Sequence, residues 1–270
     1  MNTTKRFKDI DAGKILFILT NTLIYLFLLS PIIVVVFASL TNTEYVIFPP
    51  KGFTLKWYTS ALERTDLMNS FKLSLSLASV VAIVSTTIGT MASYSIVRYR
   101  FKGREALNTF FLSPLMFPGI ALGVALLLFF NTTGLIPRFL ALFFGHVIVT
   151  TPFVIRSVSA VLYGFDMSLE EAAMDLGANK IITFFKITVP GIKGGLINGF
   201  LFSFVISFGN LVVSLFLAGP LFKTVPVWIY SYINLSSVDP TIAAVSSIII
   251  IAELLIFAVL MKLTGSSDFW

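Results

Sequence analysis

The sequence predicts an all-α, polytopic membrane protein with six transmembrane helices, and three observations carry that prediction. Apolar residues make up 57% of the 270-residue chain and the mean hydropathy is +0.94, which leaves too little polar surface to cover a soluble domain of this length. Charged residues amount to only 12%. They are bunched between uncharged runs at 15–40, 73–97, 106–137, 139–155 and 194–222. About 20 apolar residues in a helix cross a bilayer. Spans are therefore expected near 15–39, 73–97, 108–130, 138–160, 194–217 and 240–262, in one transmembrane domain covering 1–270.

The first span follows a basic N-terminus, as a signal peptide would. The apolar run from Ile15 to Leu40 is longer than a cleavable hydrophobic region, and no small-x-small site closes it, so an uncleaved span is expected. Placing both termini in the cytoplasm puts 13 of the 19 lysines and arginines on inner segments and six on outer ones, which follows the positive-inside bias. The net charge of +6 is thereby explained by topology, and no nucleic-acid partner is expected. Between the first two spans, Leu55, Tyr58, Ala61 and Leu62 recur at helical spacing among Lys56, Glu63 and Arg64. Two readings stay open: a short amphipathic helix on the outer face, with Trp57 and Tyr58 suited to the lipid interface, or a loop whose spacing arises by chance.

Composition also excludes chemistry. There is no cysteine and one histidine, His146, so neither a thiolate nucleophile nor a cysteine or histidine metal cluster is available, and no metal site is expected. No nucleophile, base and orienting acid converge at recognisable spacing, so no catalytic residue is assigned. A Gly-x-x-x-x-Gly-Lys-Ser/Thr phosphate loop does not occur, so the chain is not expected to hydrolyse ATP.

The segment 164–193, between the fourth and fifth spans, is too long for a tight connection and too patterned for a linker. Ser168 followed by Glu171 predicts a capping box that starts a helix. Glu170 and Glu171 complement the positive end of that helix. Ala172, Ala173 and Leu176 supply small and apolar surface, and Gly177 is placed to end the helix in a left-handed conformation. A second helix is expected from Asn179 as N-cap and is expected to stop before Pro190. By spacing alone, two readings stay open: a docking knob for another protein, or a loop packed against the chain's own spans.

Glu171-Ala172-Ala173, Gly177 after three residues, Ile187 after nine more and then Pro190 resemble the EAA loop of type I ATP-binding cassette (ABC) importer permeases, with Val189 where leucine is usual. The segments Phe48–Tyr58 and Tyr99–Gly103 are similar to the branch that includes spermidine/putrescine, iron and aminoalkylphosphonate permeases. The resemblance implies the type I importer permease fold in a bacterial inner membrane and alternating-access import of a small polar solute. It implies a cytoplasmic ATPase dimer that binds ATP and Mg, a second and related permease, and an external substrate-binding protein, with no cofactor on this chain. Ser168, Glu170, Glu171, Ala172, Ala173, Gly177 and Pro190 would then form the contact with the ATPase. An ATP-independent channel or secondary carrier is the alternative.

For the pathway, the candidates are the polar and ionisable residues inside spans. His146 sits mid-span near Thr150 and Thr151, and two readings are open: a substrate or proton contact, or, the favoured one, a neutral histidine satisfied by a neighbouring helix. Glu253 is an acid deep in the sixth span, expected to be paired, protonated or facing a polar cavity. Pro114, Pro118 and Pro152 are expected to bend their helices. Ser203, Ser207, Asn210 and Ser214 fall three or four residues apart on one helical face. Polyamine permeases typically carry an acid near the position of Gly209 and Asn210. Its absence here favours a zwitterionic or anionic solute over a bare polycation, with Ser207 and Asn210 as polar contacts and Phe208 as a wall.

Overall fold

The computed structural model describes residues 12–134, 136–219, 221–235 and 239–264. Lys5, Arg6 and Lys8, counted above for the positive-inside bias, lie outside them. No strand occurs among the described residues. The chain divides into two compact units, residues 1–63 with 237–255, and 64–236 with 256–270.

In the first unit, α1 (Ala12–Ala38) exposes nearly all of its apolar side chains, as a lipid-facing helix does. Pro31 lies inside it and cannot bond the Phe27 carbonyl, but the neighbouring Ser30 hydroxyl donates to that oxygen at 2.8 Å. Of the two readings of the segment that follows, the short helix is the one present, as α2 (Lys56–Glu63). Its aromatic residues tie it to the end of α1: the Trp57 indole N–H donates to the Thr41 carbonyl at 2.8 Å, and the Tyr58 and Ser39 hydroxyls are 2.6 Å apart. Their polar ends are thus engaged within the protein.

The second unit is built on three helices: α3 (Thr65–Arg98), α6 (Arg138–Gly164) and α10 (Lys193–Gly209). Glycines set how closely they approach. A methyl group on Gly89 of α3 would collide with Val154 of α6, and one on Gly195 of α10 would sit 2.9 Å from the Ser157 carbonyl oxygen of α6. Gly199 faces the same Val154. Lipid tails are as apolar as leucine, so close packing and hydrogen bonds must hold these helices together. The bonds are present: Ser85 and Thr150 hydroxyls are 2.8 Å apart across α3 and α6, and Ser93 donates to the Ile155 carbonyl at 3.2 Å.

Two of the expected spans are broken. The stretch predicted as 108–130 is α4 (Arg104–Leu112) with a 3-10 turn Ser113–Leu115, then α5 (Gly119–Thr133), and the two parts meet at 106°. Pro114 and Pro118 bring this about by removing two backbone donors within five residues. Ser113 repeats the device of Ser30, donating to the Phe110 carbonyl at 2.8 Å that Pro114 cannot bond. The stretch predicted as 194–217 is α10 followed by α11 (Leu211–Leu217), interrupted at Asn210. The span expected at 73–97 is longer than predicted, and α13 (Thr241–Thr264) matches the sixth. Among the described residues three helices are long and apolar enough to cross a membrane, or up to five spans if each sharply bent pair counts as one.

The helix α12 (Val225–Leu235) was not expected. It is fastened to the start of α3: the Val225 N–H donates to Ser74 at 2.8 Å, and the Trp228 indole donates to the Asp66 carboxylate at 2.7 Å. Trp228 and Tyr232, four residues apart, stack with ring centroids 5.0 Å apart.

Candidate functional site

The loop after α6 folds as two short helices, but its first cap differs from the prediction. Helix α7 (Ser168–Asp175) is not started by a capping box. The Glu171 N–H bonds the Met167 carbonyl at 3.1 Å, and the Ser168 N–H turns back to the Asp166 carboxylate at 2.9 Å. The Asp166 carboxylate thus takes the N–H that a capping box would give to the Glu171 carboxylate, and the Met167 carbonyl takes the one that it would give to the Ser168 hydroxyl. The Ser168 N–H, helped by the Ser168 hydroxyl, holds the Asp166 carboxyl below its ordinary pKa.

The turn out of α7 is as predicted. Gly177 has φ +92°, its N–H bonds Met174 O at 2.9 Å, and the Ala178 N–H reaches back to Ala173 O at 3.0 Å. This pair of bonds is a Schellman cap, which needs a residue at ease in the left-handed region. The Asn179 side chain then accepts from the Ile182 N–H at 2.8 Å and caps α8 (Lys180–Thr183).

The second helix does not stop before Pro190. It continues through a π turn, Phe184–Thr188, into α9 (Val189–Gly191), which contains Pro190. Proline lacks an N–H and crowds the carbonyl four residues back. The π turn, where the Val189 N–H bonds Phe184 O, widens the helix just ahead of that clash. The break comes one residue after Gly191, at Ile192, where the chain turns by 75° into α10.

The loop presents two unlike faces. Glu171, Ala172, Leu176 and Gly177 are exposed, Leu176 at 90%, while Ala173 is half-buried. Glu170 points the other way and is only 5% exposed. Its Oε1 accepts from the Thr188 hydroxyl at 2.7 Å and lies 3.4 Å from Nε of Arg98, the last residue of α3. Arg98 also donates to the Phe165 carbonyl at 3.2 Å. The sequence reading counted Arg98 as a topology charge and Glu170 as a dipole partner and an ATPase contact, whereas the structure turns Glu170 away from the exposed face. Their pairing has no local signal, because 72 positions separate them.

The mid-span candidates also have assigned partners. His146 is fully buried, with Nδ1 2.8 Å from the Ser207 hydroxyl on α10 and Nε2 3.0 Å from the Ser214 hydroxyl on α11. The predicted single face of Ser203, Ser207, Asn210 and Ser214 is therefore two helix segments, bridged by one imidazole. Asn210 is the extended residue between them, and its Oδ1 accepts from the Val213 N–H at 2.9 Å to cap α11. Phe208 is buried, edge-on to Phe71 and stacked on Phe204. Glu253 is half-buried on α13, without an ion-pair partner among the described residues.

Residues 85–265 match the family described as binding-protein-dependent transport system inner membrane component. The chain belongs to that family. It is 33% identical to the spermidine/putrescine transport system permease protein PotC of Escherichia coli (strain K12), over 86% of this chain and 88% of that one. It is 32% identical to the putrescine transport system permease protein PotI of the same organism, over 84% and 82%. Its fold is similar to that of a bacterial alginate ABC transporter solved in complex with an alginate pentasaccharide-bound periplasmic protein, with TM-score 0.68 and 17% identity over 97% and 98% of the chains. The protein is thus a permease of the ABC importer class, and the channel or secondary-carrier alternative is not favoured. The matched region of this permease contains both the two-faced loop and the His146 clamp.

Replacing His146 with leucine leaves two buried serine hydroxyls without their partner. An unfolding midpoint measured in detergent is expected to fall, corresponding to about 1 kcal/mol or more. An unchanged midpoint would show that the clamp contributes nothing to stability.

Proposed function

We propose that the outward face of α7, with Glu171, Ala172, Leu176 and Gly177, docks a cytoplasmic ATPase dimer, and that this permease works with a second permease and an external substrate-binding protein. The observation that carries this reading is the contrast of the two faces. A 90% exposed leucine beside an exposed glutamate and alanine is left uncovered while the reverse side is anchored by a buried ion pair. Exposed apolar groups rimmed by charge mark protein interfaces. The positive-inside bias supports placing this loop, and both termini, in the cytoplasm. The chain carries no phosphate loop, so ATP and Mg belong to the partner, and the permease itself makes and breaks no covalent bond.

Reconstituted with its partners, the permease is expected to take up solute only when ATP is present. Gly177→Val forces a β-branched residue to φ +92°, at a cost of about 1–2 kcal/mol, and displaces α8. Together with Glu171→Ala, it is expected to lower both ATPase co-purification and uptake while the permease stays in the membrane. Full uptake by both variants would overturn the docking assignment.

The cargo is a small polar solute of the polyamine-like or aminoalkylphosphonate-like kind, and the absence of an acid from the middle of the fifth span supports a zwitterionic or anionic solute over a bare polycation. Ser207 and Ser214 each bond His146 there, and Asn210 caps α11 without contributing a charge. Asn210→Asp keeps the cap, since aspartate and asparagine are equally good N-caps, and adds a carboxylate. Uptake of the native solute is expected to fall in this variant. Tight spermidine binding by the cognate external protein, with uptake unchanged or raised in Asn210→Asp, would overturn the preference.

A further inference from the structure

The two adjacent glutamates at the start of α7 have opposite environments, and the inner one does something that docking does not require. Glu170 joins three segments distant in sequence: Arg98 at the end of α3, its own helix, and Thr188 in the π turn. Arg98 adds a fourth, because its Nη2 donates to the Phe165 carbonyl at 3.2 Å and its guanidinium lies 5.4 Å from the Phe165 ring. Gly191 in turn lies against that ring. The Arg98 and Glu170 side chains are each 7% exposed.

A buried ion pair is a poor device for stability alone, since an apolar pair of similar volume serves as well or better. Its advantages are direction and rigidity: a charged pair bonded on several sides admits one arrangement, and sliding it apart leaves an uncompensated charge. The pair also sits at the end of α3, the 34-residue helix that packs against α6 and α10 along its length.

We infer that Arg98, Glu170 and Thr188 form a force-transmitting pin, which makes the docking loop and the end of α3 one rigid body, so that displacement of α7 by the ATPase is delivered to the α3–α6–α10 core. They are positioning residues, acting through the helices they join. The inference rests on the reading that α7 docks an ATPase, and extends it: Glu171 and its neighbours would serve engagement, whereas Glu170 and its partners would serve coupling.

The experiment measures three quantities on the full reconstituted complex: ATPase co-purification, ATP hydrolysis, and solute taken up per ATP hydrolysed. Glu170→Gln and Arg98→Gln keep the outer face of α7 and remove the charge pair. Co-purification and hydrolysis are expected to persist while uptake per ATP falls about tenfold, within the range usual for coupling between sites. Arg98→Lys keeps the charge and is expected to recover part of the loss that Arg98→Gln causes. Thr188→Val removes only one hydroxyl and is expected to give a smaller drop in the same ratio. It decides the matter if the glutamine variants do not accumulate in the membrane. An unchanged ratio in these variants would overturn the pin. So would a parallel fall of co-purification, hydrolysis and uptake, which would mean that the cluster merely shapes the docking face. Failure of the unmodified permease to bind any ATPase would instead overturn the docking reading, and this inference with it.

Discussion

The structure depends first on the close approach of α3, α6 and α10 at Gly89, Gly195 and Gly199. In lipid, helices gain nothing by hiding apolar surface from one another, so contact distance and internal hydrogen bonds decide whether they stay together. Glycine permits the distance, and Ser85, Ser93 and Thr150 supply bonds at the contacts. Three other elements of the second unit are attached to this triplet. Helix α12 is fastened to the start of α3, α11 is clamped to α6 through His146, and the docking loop is pinned to the end of α3.

The same medium governs where the helices break. An unpaired backbone group in hydrocarbon costs several kcal/mol, so an interruption survives only where something else satisfies the freed atoms. Ser30 and Ser113 each bond the carbonyl that the following proline cannot reach. Asn210 caps the segment that it interrupts, and His146 bridges the interruption from α6. The π turn before Pro190 solves the same problem by widening the helix. These breaks divide the spans into short rigid pieces joined at defined points, a construction that suits a protein expected to alternate between two arrangements. The Arg98–Glu170 pair would then link one of those pieces to the surface that a partner grips.

What the sequence made legible follows from the range of each interaction. Helices α1, α3, α6 and α13 were foreseen because continuous apolar composition is a local property. The break in 108–130 was foreseen as a bend at its two prolines, though not its size. The interruption of 194–217 at Asn210 was not, because hydropathy averages across it. The Gly177 turn and the Asn179 cap were read correctly, since each is decided within five residues. The capping box failed on an equally local competitor, Asp166, whose charge the pattern ignores. The burial of Glu170 could not be read at all, because its partners come from distant segments, whereas for His146 the sequence foretold a partner on a neighbouring helix but not which residues. Helix α12 left a weak trace in the spacing of Trp228 and Tyr232 that apolar-run length does not register.

The absence of cysteine gives the most direct test of the central claim, that the exposed face of α7 is where an ATPase docks. A single cysteine placed at Leu176 is the chain's only thiol, so a cross-link from it is unambiguous. In the assembled complex, Leu176→Cys is expected to cross-link to the ATPase subunit, with a yield that changes when ATP is bound. Labelling of that cysteine by a water-soluble reagent is expected to be blocked by the ATPase. A cysteine labelled equally well with and without the ATPase, and cross-linking to no partner, would contradict the account.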